Sequence, residues 1–219
     1  MKTGIGGLTL LLLSLSLSLS LSAAAQGAGK HSPRADSEQA FQLGSTTFAN
    51  NTTLPLSALS NIPVNGSNSC SIDGSPGGNQ SPELSWTNAP RRTASFVVTL
   101  YDTTAAFTHW GIYNIPPTAT GLPENAGVLG SSYGDQIFND FYDGREYNGP
   151  CPPAGYRPYV HRYVFTVYAL DTVLHLPQSP NFPANAETLY QALIKAGEYH
   201  HILASSSITG LYSTTPSTQ

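Results

Sequence analysis

The chain has 219 residues, only 10% of them charged, and its formal net charge at neutral pH is −4. A surface without an excess of Lys and Arg does not neutralise phosphates well, so nucleic acid is not expected as a partner. The length is sufficient for one domain with a substantial core.

Residues 1–25 have the three parts of a secretory signal peptide. Lys2 provides the positive start, residues 8–21 are apolar with interspersed serines, and three alanines at 23–25 form a cleavage site. A membrane anchor is the weaker alternative, because a bilayer span needs roughly 20 apolar residues. We therefore expect an exported protein, secreted or periplasmic, without a transmembrane segment.

The following residues, 26–40, are polar and predict a flexible lead-in. Beyond them, short apolar stretches alternate with turn residues, which is typical of β-proteins. The predicted strands are, in chain order, two weak ones at 41–48 and 52–59, three strong ones at 93–102, 109–115 and 160–170, and a closing strand at 206–212.

One helix is predicted over 186–201, where Leu189, Leu193 and Ile194 have helical spacing and Glu187 lies in the first turn. Several short strands and one late helix indicate a mainly β domain, a sandwich or barrel, over 41–213. A disordered tail is expected over 214–219.

Cys70 and Cys151 are the two cysteines of the chain. In an oxidising compartment such a pair is most often a disulfide, and here it would close a long loop. A metal pair is disfavoured because neither cysteine has a second Cys or His at short spacing. A lone catalytic thiol is the remaining alternative.

Four asparagines stand in N-x-S/T sequons within Ser- and Asn-rich segments that we expect at the surface. They would be glycosylated if the source is a eukaryote. These residues are Asn50, Asn51, Asn65 and Asn79.

Ionisable side chains occur at the ends of the three strongest strands. Because side chains alternate along a strand, Asp102 continues the apolar row of 93–102, and His161 and Tyr163 precede that of 160–170. His109 is placed by the same alternation on one face with Gly111, Tyr113 and Ile115. If these strand ends meet, the four groups line a pocket, although a buried histidine can also be structural and Asp102 can cap a turn.

Several segments resemble the phosphatidylethanolamine-binding protein family, also called Raf kinase inhibitor-like, in its bacterial and archaeal branch. They follow the family's order over nearly the whole chain after the leader. The segments are SPELSW (81–86), VTLYD (98–102), THWGIYNIP (108–116), NDF (139–141), GPCPP (149–153) and HRYVFTVYALD (161–171).

The resemblance implies a β-sandwich of two antiparallel sheets with a helix near the C-terminus. It also implies a small pocket for phosphate, acetate or a phosphorylated headgroup. The matching positions are Asp102, Phe107, His109, Gly149, Pro150, His161 and Tyr163.

Two segments depart from the family pattern. The family's Asp-Pro-Asp-Ala-Pro is DTTAA at 102–106, which has lost both prolines and the second acid. The link GYRPYV at 155–160 is longer than usual and adds Tyr156, Arg157 and Tyr159 near the mouth of the pocket, or forms an ordinary surface loop.

Catalysis is not expected, because the chain lacks the Gly-x-Ser-x-Gly, His-Glu-x-x-His and P-loop motifs. His200 and His201 would point to different faces of a helix, so they do not suggest a metal site. The prediction is a binding protein without cofactor or metal. A secreted inhibitor of a protease or another protein is the alternative, and a hydrolase using the Asp/His pocket is a weaker one.

Overall fold

The computed structural model describes residues 39–142 and 144–216. The predicted signal peptide, most of the predicted lead-in and residues 217–219 of the predicted tail lie outside these residues. Within them no helix combines the length and apolar character needed to cross a bilayer.

The described chain is mainly β-structure with one α-helix, α1 (Ala186–Glu198), and a 3-10 turn at Leu56–Ala58. The strands are β1 (Gln42–Gly44), β2 (Thr52–Thr53), β3 (Pro63–Val64), β4 (Ser67–Asn68), β5 (Leu84–Thr87), β6 (Ser95–Asp102), β7 (Phe107–Ile115), β8 (Gly121–Leu122), β9 (Asp135–Gln136), β10 (His161–Leu170), β11 (Gln178–Ser179), β12 (Phe182–Pro183) and β13 (Ile202–Tyr212).

Two main sheets are formed. The larger has the order β2-β13-β10-β6-β7-β9 and the smaller the order β1-β5-β8. All pairings in them are antiparallel except that of β13 with β2. The predicted mainly β fold with two main sheets and a C-terminal helix is confirmed.

The principal core lies between the two sheets. Leu84 and Trp86 of the small sheet pack in one cluster with Phe96, Phe165 and Val167 of the large sheet. Burial of this apolar surface is the main term that holds the sheets together.

Helix α1 covers the opposite face of the large sheet. Leu189 and Leu193 join a second cluster with Val97 and Tyr113. Asn185 caps the helix by accepting from the Thr188 amide, while the Thr188 hydroxyl accepts from the Asn185 amide. Since both faces of the large sheet are covered, β6 is buried almost throughout.

Several elements differ in extent from the sequence predictions. The helix ends at Glu198 rather than at residue 201, because His200 adopts a left-handed conformation with φ of 60°. The predicted strand over 52–59 shortens to β2 and the 3-10 turn, and β5 was not predicted. Thr214, the residue after the predicted domain end at 213, is buried and donates to the Pro152 carbonyl.

Cys70 and Cys151 form a disulfide with their Cα atoms 4.4 Å apart, which confirms the favoured alternative. No free cysteine exists in the described chain. The bridge joins the β4 region to the loop that precedes β10 and closes a loop with a sequence separation of 81.

Replacing both cysteines by serine is expected to lower the free energy of unfolding by about 2–4 kcal/mol, because a long loop gains entropy in the unfolded chain. Urea unfolding followed by tryptophan fluorescence measures the change. Treating the wild type with a reductant should produce a similar loss. Equal stability of the bridged and unbridged proteins would contradict the prediction.

Candidate functional site

The predicted site residues on strands meet at one end of the large sheet. Asp102 is the last residue of β6 and is opposite both Phe107, the first residue of β7, and Tyr163 of β10. His161 begins β10 two residues before Tyr163. The hydrogen-bonding register of the sheet therefore brings together residues that are up to 61 positions apart in the chain, counted from Asp102 to Tyr163 (163 − 102).

A β-bulge directs His109 into this group. Leu100 pairs with Trp110 and Tyr101 with Thr108, so His109 is the extra residue of β7. The simple alternation predicted from the sequence was wrong here: Tyr113 packs in the helix-side cluster, whereas the His109 ring lies 5.3 Å from Tyr163, in the core between the sheets.

Asp102 is the central polar residue of the site, with its side chain only 2% exposed. One carboxylate oxygen, Oδ1, accepts from the amides of Thr104 and Ala105 at 2.8 and 3.1 Å. The other, Oδ2, lies 2.6 Å from His161 Nδ1. A buried carboxylate is tolerated only when it is bonded in this way, so Asp102 both caps a turn and orients a histidine.

Tyr163 lies between the two histidines. Its ring is stacked with His161 at 6.2 Å and meets His109 edge-on at 5.3 Å. Burial raises the pKa of the Tyr163 hydroxyl well above its usual value, and the charge and hydrogen bond of Asp102 add to this effect. Tyr163 is therefore a neutral hydroxyl group at all ordinary pH values.

His109 is buried and held by the backbone. Its Nδ1 lies 2.8 Å from the Asn148 carbonyl, so this nitrogen carries a proton and donates. Burial lowers the pKa of His109, and it outweighs the Asn148 carbonyl and the negative charges of Asp102 and Asp140, which act in the opposite direction. The free protein therefore holds His109 mostly neutral near neutral pH.

An aromatic wall borders the His109 ring. The Phe107 ring lies 5.0 Å from His109 and 4.7 Å from Phe141, and Phe141 lies 5.6 Å from His109. Phe141 was not among the predicted site residues, although it belongs to the NDF segment that carried the family resemblance. Its place in that segment was the only signal in the sequence that pointed to it.

Gly149 and Pro150 directly follow Asn148, whose carbonyl holds His109, and are here called the loop wall. A Cβ atom added at Gly149 would lie 2.2 Å from the Ala58 carbonyl oxygen, so the two backbones approach too closely for any side chain. The Gly149 amide donates to Asn79 Oδ1 at 2.8 Å, and the Pro150 carbonyl accepts from Ser60. This wall is locked to the segment that leads to Cys70.

The DTTAA segment compensates for its missing prolines with hydrogen bonds. Thr103 donates its amide to the Arg162 carbonyl at 3.0 Å, a bond that a proline could not make. Thr104 stands in place of the second acid, and its hydroxyl accepts from the Arg162 amide. The turn beside Asp102 is thus tied to β10 in spite of its altered sequence.

The four sequon asparagines fall into two groups. Asn50, Asn51 and Asn65 are exposed, as expected for acceptor sites. Asn79 is half-buried and accepts from the Gly149 amide, so it contacts the loop wall. In the residues that the structure describes, no group of three His, Cys, Asp or Glu side chains is arranged to hold a metal ion.

Substitution Gly149→Ala is expected to destabilise the protein by about 1–3 kcal/mol, because the new methyl group meets backbone atoms that cannot move freely. Thermal or urea unfolding measures this loss. Gly44→Ala is the matched control, since a Cβ atom there meets nothing within 4 Å. A Gly149→Ala protein as stable as this control would contradict the close approach of the two backbones.

Comparison with known proteins assigns the family. The family model described as phosphatidylethanolamine-binding protein matches residues 44–213. A UPF0098 protein of Methanothermobacter thermautotrophicus is 42% identical over 144 residues, which are 62% of this chain and 84% of that protein. The YbcL protein of Escherichia coli is 44% identical over 108 residues, which are 45% of this chain and 57% of YbcL.

The crystal structure of YbcL superposes with a TM-score of 0.62 at 30% identity and covers 80% of this chain and 99% of YbcL. The family model therefore matches this chain in sequence, and the YbcL structure matches it in fold. The chain belongs to the phosphatidylethanolamine-binding protein family, in its bacterial and archaeal UPF0098 branch.

Proposed function

We propose that this protein binds a small anion, phosphate or the phosphorylated headgroup of a larger molecule, at the site around His109 and His161. The observation that carries the proposal is the pairing of two buried histidines around Tyr163, each with its Nδ1 bonded to the protein. In this proposal the Nε2 atoms of the two rings meet the ligand.

The two histidines would contribute differently to binding. Asp102 holds the His161 ring through Nδ1, so that Nε2 is the ring atom proposed to meet the anion. His109 is mostly neutral without ligand, since burial lowers its pKa. An anion nearby favours the charged imidazole, so His109 would take up a proton as the ligand binds.

Non-catalytic binding is part of the proposal. Cys70 and Cys151 are joined to each other, so neither supplies a thiolate nucleophile. Asp102 already accepts hydrogen bonds from two amides, His161 and Tyr163, which suits a positioning role better than proton transfer.

Export from the cytoplasm also belongs to the proposal. It is supported by the disulfide, since such bonds persist mainly in oxidising compartments. The signal-like composition of residues 1–25 is consistent with it.

Titration with inorganic phosphate is expected to shift the ring NMR signals of both His109 and His161 in a saturable manner. Phosphoethanolamine, added in a second titration, distinguishes a preference for the headgroup from one for the free anion. Unchanged ring signals at millimolar concentrations of both compounds would contradict the proposal.

Two variants test whether phosphate binds at the site around His109 and His161. His161→Gln should weaken phosphate binding about tenfold, because it removes the imidazole donor that Asp102 positions. His175→Gln is the matched control, since His175 is exposed and lies outside the site. Equal losses in the two variants would mean that binding is not at this site.

Anion affinity is expected to rise as the pH falls. The pKa of His109 lies below its ordinary value in the free protein and rises when an anion binds, so binding takes up a proton between these two values. Sulfate is the suitable probe because its charge is constant over this range. Calorimetry between pH 8 and 5 should show tighter sulfate binding at low pH. In the His109→Gln protein the sulfate affinity should depend less on pH. A pH-independent affinity in the wild type would contradict the coupling of anion binding to protonation of His109.

A further inference from the structure

A cavity of about 650 Å³ lies between the GYRPYV loop and the C-terminal segment. Its lining residues are Thr53, Ile72, Arg157, Tyr159, Val160, Leu211, Tyr212, Ser213, Thr215 and Pro216. None of them belongs to the predicted anion site. We propose that this cavity, here called the loop cleft, binds a small molecule that carries one anionic group on an apolar body.

The walls of the loop cleft are held in place by hydrogen bonds between its two sides. The Gly155 amide donates to Thr215 Oγ1 at 2.8 Å, and the Thr214 hydroxyl donates to the Pro152 carbonyl at 2.6 Å. A site whose walls are fixed before binding loses less entropy when a ligand enters. The extended loop is therefore a structured part of the molecule.

Arg157 is the one charged side chain that lines the loop cleft. Its guanidinium group lies 4.9 Å from the centre of the Tyr159 ring. No ion pair within residues 39–142 and 144–216 involves Arg157. A cation that is positioned by an aromatic ring and lacks a carboxylate partner can bind an anion with paired hydrogen bonds.

Asp73 is an acidic residue near the loop cleft, since its charge acts on the Tyr212 hydroxyl. Both of its carboxylate oxygens accept hydrogen bonds from Ser75, at 3.0 and 2.9 Å. The acid is therefore already bonded to a neighbour in its own turn. We therefore expect the Arg157 guanidinium to pair with the anionic group of the ligand.

The remaining walls select the body of the ligand. Ile72, Val160 and Leu211 are aliphatic, and Tyr159 and Tyr212 add aromatic surface. A volume near 650 Å³ is within the range of sites for small organic ligands. One cation among mostly apolar walls fits a carboxylate or a phosphate monoester that carries an aryl or alkyl group. An inorganic ion would bind Arg157 without contacting the apolar side chains.

The test compares two probes of the same size, 3-phenylpropionate and the uncharged 3-phenylpropanol, in titrations of ¹⁵N-labelled protein. The acid is expected to shift the amide signals of Arg157, Tyr159 and Tyr212 in a saturable manner. The alcohol should bind at least about tenfold more weakly, because it cannot form charge-assisted hydrogen bonds.

Arg157→Gln should reduce the affinity for the acid about tenfold and leave that for the alcohol unchanged. Arg91→Gln removes the same charge from an exposed turn and should change neither affinity. Acid and alcohol binding equally in the wild type, or an Arg157→Gln protein that binds the acid normally, would overturn the proposal. Shifts confined to the rings of His109 and His161 would also overturn it, while supporting the separate anion site.

Discussion

The site depends on one buried carboxylate. Asp102 uses one oxygen to hold the turn after β6 and the other to fix the ring of His161 at the start of β10. Both strands are also paired in the sheet, with Asp102 opposite Tyr163. Because a buried charge is stable only when its hydrogen bonds are complete, a displacement of either strand end would leave Asp102 unsatisfied. The geometry of the site is in this way coupled to the register of the sheet.

The opposite wall is fixed by a different means. Gly149 can approach the backbone at Ala58 only because it has no side chain, and the disulfide holds Cys151 two residues further along. The Asn148 carbonyl in the same segment orients His109. Two histidines are thus positioned by independent parts of the chain, one by a strand carboxylate and one by a loop carbonyl. Their different surroundings account for their different roles in the proposed binding.

The departures from the family pattern have structural consequences that differ. In DTTAA the Thr103 amide donates to the Arg162 carbonyl and the Thr104 hydroxyl accepts from the Arg162 amide, so the turn keeps its connection to β10. The longer GYRPYV loop instead creates new surface, since Arg157 and Tyr159 line the loop cleft and not the histidine site. One change preserves the site that the family segments predict, and the other adds a feature to this particular chain.

The sequence by itself determined the mainly β fold, the late helix and the residues that meet at the end of the sheet. On β6 and β10 the strict alternation of side chains was enough to place Asp102, His161 and Tyr163 on the core face, because the two strands pair without a bulge up to their polar ends. It failed for His109, whose direction depends on a bulge, and a bulge is a property of pairing with a neighbouring strand rather than of the strand's own residues. Which histidine pairs with Asp102, the contact of Phe141 and the close approach at Gly149 likewise required tertiary structure, because each joins segments that are distant in the chain.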